Sequence, residues 1–579
     1  MLPVAHNIEM VSHVLPDLQQ AVGFQRSSNL DSRERGAVYT RQEIVEFILD
    51  LVGYDPQKVL ETERLLEPAY GEGSFLIPAV KRLLQSSKKV QVEDRRSIYE
   101  RLRNSIRAVE VHPQSFEITK NKLLDLLIQD GVSQQDAEKL LKDWLIQGDF
   151  LLAELPFDFN FVIGNPPYIR QELLSSDVLS EYRRKYKTMF DRADIYVAFI
   201  EKSLSSLASK GQCGMICSDR WMKNRYGGPL RDLVSNNFHL RVYVDMTDSI
   251  AFDSEVTAYP AITVIANDQG SITAIASNPK IESEGLKTLA QSLISQIDLN
   301  DDRTRVIRGV CKGAEPWIFG SVETLTFVRR LENQFPLLEE TGCKVGIGVA
   351  TGADDVYIAP MQDLDIEDSR KIPLIMTGDI NNGQIIWSGH GVVNPYLDEG
   401  GLVHLEDYPK LKVYLEAQKP RISRRHVATK DPIRWYRTID RINPSLTCKQ
   451  KLLIPDISGK AQIIYESGQF YPHHNLYYIV SDNWDLQVLQ GILLSGIAHL
   501  FVEAYSTQMR GKYLRFQAQY LRRIRIPYWE NLSSIQKALL SDAAKQQNPA
   551  ICDEVIAELY HLSENEMAIL RSKRGFNVP

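Results

Sequence analysis

Cysteine is scarce in this sequence and never paired at short range. The 579 residues carry six, at positions 213, 217, 311, 343, 448 and 552. None forms a Cys-x-x-Cys pair, and their scatter fits neither a zinc site nor a disulfide framework, so reduced, buried thiols and no metal centre are expected. Long hydrophobic runs are missing too. Stretches such as Tyr196–Ile200 and Gly491–Leu494 fall well short of the ~20 residues a membrane-spanning helix needs. The N-terminus has no basic segment leading into a long apolar core, which predicts a cytoplasmic protein without a secretory signal. Positive charge is not in excess either: the net charge is −7, which taken alone argues against a polyanionic partner.

What is there qualifies that last exclusion, because binding depends on local patches rather than on the average. Ten basic residues fall between Lys419 and Lys451, including Arg421, Arg424, Arg425 and Arg434, against only Asp431 and Asp440. A second stretch carries Arg510, Lys512, Arg515, Arg522, Arg523 and Arg525 with no acid. Trp435, Tyr436, Tyr513, Phe516 and Tyr520 interleave with these runs, a pattern that points to nucleic acid rather than to a merely solvated face. The remaining composition, 44% hydrophobic and 24% charged, is that of a globular chain with material for several cores.

Periodicity predicts an α/β fold over the first ~270 residues, with short apolar strands alternating with helices. Helices are expected over 41–51 (with Thr40 as N-cap), 74–84 and 112–127, and strands over 64–66, 106–111, 159–164, 214–218 and 240–245. A polar stretch from about 265 to 310 reads as a linker or boundary insertion. Beyond it come strand-like 452–454 and 476–480, one helix from about 486 to 505, and a helical last fifty residues. The expected domains are therefore 1–300 and 301–579.

The strongest chemical signal is Asn165-Pro166-Pro167-Tyr168, directly after the apolar strand. An exocyclic amine on a base has its lone pair delocalised into the ring and is a poor nucleophile. The Asn165 side-chain oxygen and the Pro166 carbonyl can each accept one amine hydrogen, drawing the nitrogen toward tetrahedral geometry. Pro166 and Pro167 stiffen the backbone that presents both acceptors, and Tyr168 offers a face on which an extruded base can stack. Upstream, Glu67-Pro68-Ala69-Tyr70-Gly71-Glu72-Gly73 lets backbone approach a cofactor closely. Leu76 replaces the third glycine of a dinucleotide fingerprint and no phosphate-loop lysine follows, which favours a cofactor without phosphate such as S-adenosylmethionine. Glu110, at the end of the next strand, can grip ribose hydroxyls, and Asp149-Phe150 can hold an adenine.

In their order, these motifs resemble those of the γ-class DNA adenine-N6 methyltransferases of restriction–modification systems. Gly36–Arg41 is similar to that family's N-terminal motif, which places Tyr39 and Thr40 at the methionine end of the cofactor. Glu67 stands where the family has aspartate. The resemblance implies that Glu67 meets the methionyl amine, that 193–199 lines the cofactor site, and that Phe252, with Tyr259 as rival, supplies a second aromatic against the flipped base. It further implies a Rossmann-like domain with a mainly parallel seven-stranded sheet, and a mixed α+β C-terminal target recognition domain ending in helices. The expected partner is double-stranded DNA bearing a short recognition sequence. A separate cognate endonuclease is compatible with this, as is a monomer or a dimer. Methylation of another amine (an RNA base or a protein glutamine) is the neighbouring alternative, and a non-catalytic DNA-recognition subunit the more distant one. A fused nuclease is disfavoured, because about 35 residues precede the first motif and no metal-nuclease pattern follows.

Overall fold

The computed structural model describes residues 40–89, 96–247, 249–252, 260–296, 304–381, 383–459, 461–506 and 513–572. Two compact units divide at Ile318/Phe319.

The first unit is built on a nine-stranded sheet in the order β3-β2-β1-β4-β5-β7-β6-β8-β9. Its strands are β1 Leu65–Glu67, β2 Ile106–Glu110, β3 Leu145–Gln147, β4 Phe159–Gly164, β5 Leu207–Ser218, β6 His239–Asp245, β7 Pro260–Ala266, β8 Ile272–Ser277 and β9 Thr304–Arg308. The first five strands pair in parallel, β7 runs antiparallel between β5 and β6, β8 is parallel to β6, and β9 is antiparallel to β8. Strands such as β1 and β2 are buried along their whole length, as parallel sheets covered by helices on both faces require. The helices that matter for the site are α1 Gln42–Leu51, α2 Leu76–Ser87, α3 Pro113–Gln129, α4 Gln134–Trp144, α5 Ser176–Lys185, α6 Tyr196–Ser205 and α7 Ser283–Ser295. Amphipathic α1 turns Ile44, Val45, Phe47, Ile48 and Leu49 inward and packs against α7.

The polar stretch read as a linker is part of this sheet. It contributes β8, α7 and β9, with Thr273 and Ile275 of β8 opposite Ile307 and Arg305 of β9. The compact unit thus runs past the expected boundary at residue 300 to 318, because a strand–helix–strand segment of small and polar residues is weakly apolar yet paired into the sheet. The seven expected strands gain these two at the far edge. Thr40 does not cap α1 either. Arg41 takes the N-cap position without a side-chain bond, and Thr40 is drawn into a bridge with Phe252.

The second unit holds two four-stranded sheets. One has the order β10-β17-β14-β15, with β10 Cys343–Ile347, β14 Lys451–Pro455, β15 Ile464–Glu466 and β17 Leu476–Ser481. The other has the order β11-β13-β12-β16, with β11 Ile358–Pro360, β12 Lys371–Ile375, β13 His390–Val393 and β16 Tyr471–Pro472. Helix α8 spans Pro409–Ile422. The single helix expected over 486–505 is two, α9 Leu486–Leu494 and α10 Gly496–Tyr505, bent by 63°. Ser495 breaks it by leaving the helical region and accepting a hydrogen bond from Ile497 N. The chain continues through α11 Ser534–Lys545, α12 Pro549–Leu559 and α13 Glu564–Ser572. Close approach needs glycine here: a Cβ at Gly491 would lie 2.5 Å from Leu540 O, and one at Gly496 would lie 2.5 Å from Leu570 O. Among the described residues no single helix is long and apolar enough to cross a membrane.

Candidate active site

Because β3, β2, β1 and β4 are parallel neighbours, their C-terminal ends share one edge. Glu67 closes β1, Glu110 closes β2, Asp149 follows β3 by two residues, and Asn165 follows β4 directly. The sheet thus gathers four sequence motifs, spread over a hundred residues, along one line.

At β1 the chain turns through Pro68, half-buried Ala69 and Tyr70 into Gly71 and Gly73, whose φ values of 53° and 89° lie in the left-handed region that favours glycine. A Cβ on Gly71 would meet nothing within 4 Å, so its backbone faces open space. Glu110 fixes this turn. Its Oε2 accepts from Gly71 N at 2.8 Å and its Oε1 from His112 N at 2.7 Å, while Thr119 of α3 donates to Gly71 O at 2.8 Å. Each carboxylate oxygen keeps acceptor capacity after one bond. Burial pushes the Glu110 carboxyl above its usual range. Glu67 is more extreme: it is 1% exposed, its Oε2 has no hydrogen-bond partner, and burial, reinforced by the Glu110 charge, pushes its carboxyl well above the usual range. A buried carboxylate without a partner is costly, and a cationic or donor ligand would relieve it.

The Asp149–Ala153 turn is clamped from three directions. Asp149 Oδ1 accepts from Leu151 N at 2.8 Å, and Oδ2 from Tyr182 OH of α5 at 2.6 Å. Tyr186 OH donates to Leu151 O at 2.5 Å. Lys202 of α6 donates to Phe150 O at 2.5 Å and also to Ala153 O, with its Nζ 4.8 Å from the Phe150 ring centroid. Burial brings the Lys202 ammonium down to about 8. Phe150 is buried against Phe199, ring centroids 5.1 Å apart. Tyr182, Tyr186 and Lys202 carry no motif. Only the inward face of α5 and α6 hints at them, since their partners are backbone carbonyls and one acid far away in sequence.

At β4, Asn165 Nδ2 lies 3.3 Å from Thr40 Oγ1. Thr40 bridges Phe252 in turn, and Arg41 N donates to Ala251 O at 3.2 Å. Residues 40, 165 and 252 thereby come together. Pro166 is buried and Pro167 half-buried. The half-buried Tyr168 ring leans on Tyr196, centroids 6.1 Å apart at 43°, and Tyr196 OH lies 2.9 Å from Tyr226 OH. Phe252 is 6% exposed and belongs to the hydrophobic core. Its backbone bridges Thr40, the residue that contacts Asn165. Tyr39 and Tyr259 lie outside the described residues.

The basic stretches divide. Arg424 is exposed, as are Arg421, which pairs with Asp355, and Arg434, 3.7 Å from Asp431. Arg425 is internal. Its guanidinium donates to the carbonyls of Ile422, Thr351, Trp435 and Arg437 and to Tyr357 OH, at 2.7–3.2 Å. Arg515 is held by both oxygens of Asp456. Both guanidinium groups thus make their hydrogen bonds within the fold. Phe516, Tyr520 and Trp435 are likewise buried, while Arg510 and Lys512 lie outside the described residues. Cys448 is exposed, against the expectation of buried thiols.

Residues 82–252 match the Eco57I restriction-modification methylase family, and residues 374–526 match the TaqI-like C-terminal specificity domain. The chain is 49% identical over 574 residues to the type II methyltransferase M.PaeR7I of Pseudomonas aeruginosa, covering 98% of each. It is 48% identical over 542 residues to the type II methyltransferase M.XhoI of Xanthomonas vasicola, covering 93% of this chain and 99% of that one. Its fold is similar to that of the type IIL restriction-modification enzyme MmeI, solved in complex with DNA, with a TM-score of 0.58, 10% identity, and coverage of 92% of this chain and 76% of the other.

Proposed function

The chain belongs to the type II DNA methyltransferases of restriction–modification systems, and we propose that it transfers a methyl group from S-adenosylmethionine to N6 of an adenine turned out of double-stranded DNA. The observation that carries this reading is the placement of Asn165-Pro166-Pro167-Tyr168 at the end of β4, on the strand next to β1, which ends in Glu67 with its Oε2 unpartnered.

The residues present fit the cofactor. Glu67 Oε2 lacks a partner and would hold the amino group of the methionyl end, as a buried acid holds a cation. Glu110, anchored by Gly71 N and His112 N, would accept from the ribose hydroxyls. The clamped Asp149-Phe150 turn would take the adenine, with Asp149 keeping acceptor capacity beside Tyr182. S-adenosylmethionine, when bound, supplies an electrophilic methyl on a sulfonium centre with a good leaving group.

The chain's own contribution is position. Asn165 carries no titratable group, so it orients the amine and does not deprotonate it. Its side-chain oxygen and the Pro166 carbonyl would each accept one N6 hydrogen and turn the lone pair out of ring conjugation. Thr40, contacting Asn165 Nδ2, fixes which end of the amide faces the base. Tyr168, braced by Tyr196 and Tyr226, would stack on the extruded ring. The second unit, with exposed Arg424 on its specificity segment, would engage the duplex.

The test is methyl transfer from labelled cofactor to mixed-sequence duplex DNA, RNA and release factor in parallel, followed by nucleoside and amino-acid analysis. N6-methyladenine in duplex DNA is the expected product. N4-methylcytosine, or label confined to RNA or protein, overturns the reading.

A further inference from the structure

A cluster of metal-ligating side chains lies in the second unit, outside the motifs above. His473 and His474 follow β16, and Asp354 opens the helical turn Asp354–Tyr357. One donor atom from each residue lies within 4.8 Å of the others. His473 Nε2 and Asp354 Oδ2 are 3.2 Å apart, and the two imidazole centroids 4.0 Å apart. Bonds of ~2.0–2.1 Å in a tetrahedral set put neighbouring donors roughly 3.3 Å apart, close to the His473–Asp354 separation.

We propose that Asp354, His473 and His474 form a binding site for one divalent transition-metal ion. The surroundings are built for it. Thr351, fully buried, donates to Asp354 Oδ1 at 2.5 Å and so aims the carboxylate, the arrangement in which a second layer orients a metal ligand. The histidine backbone is pinned: His473 N donates to Ile375 O at 3.0 Å, His474 N to Val349 O at 3.1 Å, and Leu476 N to His473 O at 2.8 Å. His474 Nδ1 is sealed from solvent with no hydrogen-bond partner among the described residues, and such a nitrogen calls for a ligand. Neutral imidazole and ionised carboxylate are the ligating forms. Two imidazoles and one carboxylate select the zinc, cobalt and nickel group over magnesium or calcium. An ion here would cross-link segment 351–354 to segment 473–474, and with three protein ligands it would keep one position for water.

The experiment titrates Zn2+ and Co2+ into the chelator-stripped full chain. One ion per chain is expected, with a visible Co2+ absorption band. His473→Ala and Asp354→Asn should weaken binding about 100-fold, and Thr351→Val about 10-fold. No stoichiometric binding, or binding that these substitutions leave unchanged, overturns the proposal and leaves a simple His–Asp contact. X-ray absorption on the zinc-loaded wild-type chain keeps the test independent of whether the variants fold. Two imidazoles with no sulfur support the site, whereas sulfur scattering or fewer imidazoles rejects it.

Discussion

Glu67 in the first unit is a buried ionisable side chain and Arg425 in the second a part-buried one, and they differ in how completely the protein satisfies them. Arg425 meets four carbonyls and a hydroxyl. Glu67 keeps an oxygen with no partner and stands beside a second acid. The difference teaches how to separate structure from function in a buried charge. One whose hydrogen-bonding capacity is used up is part of the architecture, whereas one left wanting is held ready for something that arrives. Buried Lys451 falls on the architectural side, bonded to Glu466 and to the carbonyls of Thr447 and Phe470.

Substitutions can break or sharpen this contrast. The largest effect is expected at Asn165, the proposed acceptor of the amine: Asn165→Ala should lower turnover on the order of 10²–10⁴-fold with cofactor affinity nearly unchanged, measured by single-turnover kinetics and calorimetry. Arg425→Ala should destabilise the chain by about 3 kcal/mol, since it strands several buried acceptors. Denaturant titration checks this, and undiminished stability combined with lost DNA affinity would move Arg425 to the functional side.

Glu67→Gln should split its effects in sign. Cofactor binding should weaken by about 10–100-fold, the worth of a charge-assisted hydrogen bond, while the cofactor-free chain gains stability at pH 8. The direction follows from linkage. The folded carboxyl is raised above its unfolded value, so the folded state binds the extra proton. Its contribution is therefore most favourable at low pH and is lost as pH rises from the unfolded value of about 4.3 through the raised folded one. Glutamine should flatten that slope, and cofactor affinity in the wild type should tighten as pH rises through the same window. Equal slopes in both proteins would remove Glu67 from the waiting class.

Lys202→Met should raise the KM for cofactor several-fold by loosening the Asp149–Ala153 turn while leaving DNA affinity intact, because the clamp holds only the turn proposed to take the adenine. The smallest effect belongs to exposed Arg424. Arg424→Ala should leave Tm unchanged and reduce the salt dependence of DNA binding by ~0.9 in log–log slope if it meets one phosphate.

Much of the first unit was legible because a strand end is a strong constraint. An apolar run followed by a glycine turn, an acid or Asn-Pro-Pro-Tyr fixes where the next side chain stands, and parallel pairing then lines these ends up. Phe252 was harder to place: an aromatic in a loop looks the same in sequence whether it faces a ligand or the core, and the structure buries it beside the Thr40 bridge. The edge strands β8 and β9 hid in a polar stretch because small side chains pair as well as large ones but announce themselves less. In the second unit, sequence could not divide Arg424 from Arg425. The acceptors that consume Arg425 are mostly carbonyls contributed by segments as far off as Thr351, and backbone oxygens are the same in every sequence.

The glycine contacts of α9 and α10 carry a consequence for synthesis. These two helices are strongly apolar, and their close seating depends on backbone from α11 and α13, with Gly491 against Leu540 and Gly496 against Leu570. While the ribosome still holds residues 534–572, that greasy face is bare. A nascent chain stalled or cut in this interval should be captured by chaperones or aggregate, because α11 and α13 supply the backbone against which α9 and α10 close.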